Sequence, residues 1–162
     1  MVKSLARAVV ANVLLFGAVP AGAQTPPPAG AEATVRPAPV NQLQALILVR
    51  STLIALHQAN VTGNYTVLRD LGAPRFRDSF DAAQLAASFA EQRNRRYFLA
   101  GVLVVDPVFT APPVVADDGL LRLAGYFPSG PMRLRFELSF ELVGAEWRVA
   151  GIEVGIEDAA AN

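Results

Sequence analysis

The chain has 162 residues, 52% of them hydrophobic, and its 14 basic and 14 acidic side chains cancel to zero formal charge. It has no cysteine and one histidine. That excludes a disulfide framework, a thiol nucleophile, thiolate metal ligation, a lipid-modified N-terminal cysteine and a multi-histidine metal site. A near-neutral chain without a basic patch argues against nucleic acid and anionic membrane surfaces as partners.

The N-terminus reads as an address. Lys3 and Arg7 give a basic start, Ala8 to Val19 is uncharged and mostly apolar, and Ala21-Gly22-Ala23 puts small residues where a signal peptidase reads. This is the pattern of a secretory signal peptide over 1–23, cleaved before Gln24. A retained anchor is the weaker reading, because the apolar stretch has 12 residues and a spanning helix needs about 20. The expected location is periplasmic or secreted. Residues 24–40 are rich in Pro and Ala with no apolar period, and read as a disordered spacer. One domain is expected over 41–157, with a disordered tail at 158–162. Cleavage removes Lys3, the only lysine, so Schiff-base chemistry is excluded from the mature domain.

The domain opens with a helix from about Gln42 to Asn60, stopped by Gly63. On a helical wheel Leu43, Leu46, Ile47, Leu53, Ile54 and Val61 share one face, while Ala45, Val49 and Leu56 lie nearly opposite. A helix apolar on most sides is buried on more than one. It is expected to pack on a sheet and also on another helix or a partner chain. A short helix follows over about 65–71, with Asn64 as N-cap and Gly72 as stop. Asp81 and Gln84 form a variant capping box, and start a third helix expected to run to about Tyr97.

From Leu99 the period changes to two. Strands are expected over 99–105 and 108–115, interrupted by Asp106-Pro107 and Pro112-Pro113. Asp117-Asp118-Gly119 reads as a hairpin turn before a strand over 120–127, and Pro128-Ser129-Gly130-Pro131 as the next turn. The following strand has the clearest pattern. Leu134, Phe136, Leu138, Phe140 and Leu142 alternate with Arg133, Arg135, Glu137, Ser139 and Glu141, giving one buried and one wet face. In the last strand the apolar parity slips between Val149 and Ile152, so a β-bulge is expected near Ala150-Gly151. The fold class is α+β. Three N-terminal helices are expected to pack on a strongly curved antiparallel sheet of four to five strands.

The first helix, the run Gly63-Asn64-Tyr65-Thr66-Val67-Leu68-Arg69-Asp70-Leu71 and the ending Trp147-Arg148-Val149-Ala150-Gly151-Ile152 resemble the nuclear transport factor 2-like superfamily. The resemblance covers Leu43 to Ile156. It implies a cone-shaped α+β domain with a pocket between the first helix and the sheet. In that superfamily the pocket hosts isomerases, dehydratases and hydrolases, and also members with no known reaction, so the fold alone does not give function. Many members place a strand or hairpin between the second and third helices. Here Arg75 to Phe80 is too short and too charged for one, so that wall of the pocket is absent or supplied differently.

Within that frame the expected ligand-binding residues are Arg50, His57, Tyr65 and Phe136. Arg50 and His57 lie seven residues apart on the first helix, within its apolar arc, where polar groups must find partners or face a cavity. They could bind an anionic or polar ligand, with His57 as a base. In the plainer account Arg50 pairs with a carboxylate and His57 is satisfied in the core, and this is favoured because buried charges are usually paired. Tyr65 and Tyr97 are candidates for a pocket mouth, with aromatic packing the plainer account. Arg93, Arg95 and Arg96 read as a solvated helix end, Asp117-Asp118 as a turn rather than a metal site, and Glu137, Ser139 and Glu141 as a wet sheet face. No catalytic residue, metal or cofactor is assigned.

The function expected is an exported non-catalytic domain that binds a small ligand or a protein partner. The alternative is a small cofactor-free isomerase, dehydratase or hydrolase using His57 with Arg50. A structural envelope or assembly protein, with a homodimer through the sheet, is the third class. No nucleic acid or membrane partner is expected after signal cleavage.

Overall fold

Asn41 starts the first helix, α1 (Gln42–Thr62), with both halves of a capping box: its side chain accepts from the Gln44 N–H, and the Gln44 side chain accepts from the Asn41 N–H. Gly63 ends it in the left-handed conformation at φ 72°. The computed structural model describes residues 36–37 and 40–159, with only the backbone of 36 and 37. The described residues all fall in one compact unit, Glu32–Asn162. The expected signal peptide, most of the expected spacer and residues 160–162 of the expected tail lie outside the described residues.

Three short helices follow: α2 (Thr66–Asp70), α3 (Pro74–Ser79) and α4 (Ala82–Ser88). Pro74 is the first residue of α3, where its missing N–H costs nothing. Of the charged segment 75–80, read as unsuited to a strand, residues 75–79 are therefore helical. Asp81 caps α4 through the expected box with Gln84. The expected third helix does not run unbroken to Tyr97. It breaks at Phe89, and α5 (Ala90–Asn94) follows.

The expected strand over 99–105 is a correction: Leu99–Leu103 is a 3-10 helix. Its buried residues are Leu99 and Val102, three apart, which suits three residues per turn rather than a strand's alternation. Five α-helices and a 3-10 helix thus stand among the described residues where three helices were expected, and a two-residue strand, β1 (Arg36–Pro37), precedes α1.

The sheet is antiparallel, in the order β1-β3-β4-β5-β6, with β2 (Val108–Phe109) also paired to β4. β2 and β3 (Val114–Val115) are short because Pro112-Pro113 separates them. β1 pairs with β3, so the end of the presumed spacer belongs to the sheet. Three long strands, β4 (Leu120–Ser129), β5 (Met132–Val143) and β6 (Glu146–Asp158), carry the rest. Asp158, expected in the tail, lies in β6, and the Ala159 N–H bonds the Pro131 carbonyl just beyond the strand.

The expected bulge is present. Ser139 pairs with Gly151 and Phe140 with Val149, which leaves Ala150 as the extra residue. The sheet is nonetheless not strongly curled. A single bulge bends β6 locally, while β4 and β5 pair without interruption along the whole ten-residue length of β4. The bulge also docks the helical layer, because the Val149 carbonyl accepts from the Ala73 N–H at 2.7 Å.

The core lies between α1 and the inner sheet face. Ala45, Val49, Leu53, Leu56 and Ala59 meet Leu121, Leu123, Phe127, Leu134, Phe136, Leu138 and Phe140. Burying each large side chain contributes roughly 1.5–3 kcal/mol. The second apolar face of α1 is another matter: Leu43, Ile47 and Val61 are exposed. Among the described residues no helix is long and apolar enough to cross a membrane.

Candidate functional site

A cavity of about 570 Å³ opens where the 3-10 helix passes the turn between β4 and β5. Its floor is apolar and buried, made by Leu99 and Val102 on one side and Phe127 and Leu134 on the other. Phe98, Val105, Met132 and Ile156 extend the apolar wall. Its polar lining comes from Arg95, Arg96, Tyr97, Ser129 and Arg133. Among the described residues no Asp, Glu or His lines it.

Local sequence explains each wall. The 3-10 helix turns two apolar residues, Leu99 and Val102, inward. Alternation along β4 and β5 puts Phe127 and Leu134 on the inner face, directly opposite one another in register. The turn between them is tight because Gly130 takes φ 66°.

The sequence-predicted residues do not converge on this cavity, and none of the four lines it. Arg50 lies behind it. Its guanidinium donates to the carbonyls of Val102 (2.8 Å) and Val105 (3.0 Å) and to the Asp106 carboxylate (2.8 Å). The first two acceptors belong to residues that line the cavity, so Arg50 fixes a wall. The Asp106 side chain is 91% exposed, and an ion pair in that setting adds little.

His57 is on the same side of α1, one edge of its ring packed on Phe98 at a centroid distance of 5.9 Å. Its Nδ1 is buried and has no hydrogen-bond partner among the described residues. Tyr65 is buried behind the helical layer. Its hydroxyl donates to Asn60 and accepts from Arg93 at 2.6 Å, and its ring stacks on Phe89. Phe136 is fully buried between Phe109 and Phe127.

Tyr97 and two of the three arginines read as a helix end do line the cavity. The signal available in the sequence was their run, Arg95-Arg96-Tyr97-Phe98, at the end of a helix. The opposite wall, at 127–134, is remote in sequence, and only the fold brings it there.

The wet face of the sheet is laced with ion pairs. Arg135 bridges Glu137 and Glu153, which sit opposite one another on β5 and β6. At the hairpin turn Arg122 holds both oxygens of Asp118, at 3.0 and 2.7 Å. That contact, with the Leu120 N–H, holds the Asp118 carboxyl down to about 2 from 3.8. Asp117-Asp118 is thus a turn, and among the described residues no group of three or more His, Asp or Glu is placed to hold a metal.

No protein-family model, curated protein or solved structure matches the chain.

Proposed function

We propose that this is an exported, non-catalytic domain that holds a small, largely apolar ligand in the cavity between the 3-10 helix and the β4–β5 turn. The cavity itself carries the reading. At about 570 Å³ it falls within the range of small-molecule sites, and it has their usual composition of apolar walls with a few polar groups. Its lining lacks a carboxylate or imidazole to act as general acid or base. Export rests on the sequence pattern of residues 1–23. The likeness to the nuclear transport factor 2-like superfamily is part of the same proposal, supported by α1 packing across an antiparallel meander.

A small-ligand role is preferred to a protein partner on the sheet. A homodimer through the wet face would have to desolvate the Arg135–Glu153 and Arg122–Asp118 pairs, and desolvating ion pairs is costly.

One observation favours the enzyme reading: the buried, unpartnered Nδ1 of His57. Against it, the Nε and one terminal nitrogen of Arg50 are engaged by backbone and Asp106. The His57→Ala variant separates the two readings. The binding reading expects ligand affinity to stay within about tenfold, roughly 1.4 kcal/mol, and the enzyme reading expects turnover to be lost.

Native mass spectrometry of the mature protein, purified gently from its own compartment, tests the proposal. A discrete added mass on the folded species supports it. A clean unliganded mass, with no uptake of added hydrophobic small molecules, contradicts it.

A further inference from the structure

The rim of the cavity is strongly one-signed. Arg95, Arg96 and Arg133 line it, with no carboxylate among the lining residues. Two of the three already have acidic partners. Arg95 pairs with Glu91 one helical turn away, and Arg133 pairs with Glu157 and lies over the Tyr126 ring. The guanidinium of Arg96 has no hydrogen bond or ion pair among the described residues.

Arg96 is also the one described non-glycine residue with positive φ, at 52°. It occupies the position after the C-cap of α5 that glycine usually takes. The Arg96 N–H bonds the Arg93 carbonyl and the Tyr97 N–H bonds the Gln92 carbonyl, the two hydrogen bonds of a Schellman motif. A side chain is unfavourable in this conformation, and glycine would close the helix with less strain. The terminal carbonyls of α5 are satisfied by these N–H groups, so the Arg96 charge is not needed to cap them.

Resting on the cavity reading above, we propose that this rim selects single-chain amphiphiles with a carboxylate head, with Arg96 as the principal charge that receives it. The alkyl chain lies over Leu99, Val102, Phe127 and Leu134. The carboxylate accepts from the guanidinium, which offers a planar pair of N–H donors matched to two carboxylate oxygens. The unfavourable backbone at residue 96 is the cost of carrying that charge at the cavity mouth.

Isothermal titration with decanoate, decanol and decylammonium, on the wild type and on Arg96→Gly and Arg96→Lys, tests this. The expected result is that wild-type protein binds decanoate at least tenfold more tightly than decanol and decylammonium. Arg96→Gly loses at least tenfold for decanoate, leaves decanol unchanged and does not lower the urea midpoint. Arg96→Lys, which keeps the charge without the planar fork, recovers only part of the decanoate affinity. Equal binding of decanoate and decanol by the wild type overturns the carboxylate selection and leaves the cavity reading standing. No binding of any of the three overturns both. A loss in Arg96→Gly that is equal for decanoate and decanol overturns the role of the Arg96 charge.

Discussion

The Nε of Arg50 donates to the carbonyl oxygen of Val102 at 2.8 Å, across 52 residues of chain. This bond ties the longest helix to the 3-10 segment that walls the cavity, and a second, to Val105, closes the clamp at 3.0 Å. Arg50, a candidate ligand binder in the sequence, here braces the segment that walls the cavity.

The brace is testable. Arg50→Ala leaves two carbonyls short of a charged donor, and hydrogen bonds of that kind are worth about 1.5–3 kcal/mol each. We expect Arg50→Ala to destabilise the domain by roughly 2–3 kcal/mol in urea unfolding and to raise hydrogen exchange in residues 99–105. Lysine lacks the planar fork that spans both carbonyls, so Arg50→Lys should recover little. Asp106→Asn should cost less than about 0.5 kcal/mol, because the Asp106 side chain is exposed.

Tyr65 is 1% exposed, and its hydroxyl links Asn60 to Arg93. Tyr65→Phe keeps the stack on Phe89 and removes that link. The expected loss is about 1–3 kcal/mol, the cost of leaving buried polar groups unpaired. Chemical denaturation checks it, and binding in the cavity should be unaffected because Tyr65 does not line it.

Gly125 is fixed by close approach. A Cβ there would lie 2.4 Å from the Val108 carbonyl oxygen and 2.8 Å from the Phe136 ring. The first neighbour is backbone, so β2 must move off β4 to make room. Gly125→Ala should cost about 1–3 kcal/mol, as overpacking does, and NMR should show the Val108–Tyr126 pairing lost.

The Asp118 turn gives a pH dependence. Its carboxyl is held down to about 2 from 3.8 by Arg122 and the Leu120 N–H. Because the folded value is depressed, its stabilising contribution is present above about 4 and is lost as pH falls from there toward 2. A carboxyl-carbon NMR titration should place its midpoint near the lower value. Arg122→Ala should return it toward 3.8.

The sequence was most legible where one local rule governed. Period two along Leu134 to Leu142 placed β5, with Leu142 near its end the exposed exception. The parity slip between Val149 and Ile152 located the bulge at Ala150. Two capping residues, Gly63 and Asp81, fixed helix ends. Local rules failed where tertiary contacts decided. Leu99 to Val105 has strand composition, but Arg50 takes its carbonyls and the segment coils.

The site was the least legible part. Arg50 and His57 fall in an apolar arc of α1, which suggested a pocket, yet the 3-10 segment packs over the part of that arc where they lie. The face of α1 that faces the core is the narrower one, centred on Val49 and Leu56, while Leu43 and Ile47 stay exposed. A wheel gives the angles between faces and not which face the sheet will choose. The cavity needs 95–105 and 127–134 together, and no local pattern pairs them.

The most direct test of the central claim, that the cavity is the ligand site, is methyl NMR of the mature protein titrated with decanol, an uncharged probe independent of the arginine rim. The account expects saturable shifts confined to Leu99, Val102, Val105, Met132, Leu134 and Ile156. Shifts confined instead to Leu43 and Ile47 on the outer face of α1, or no saturable shift at all, would contradict it.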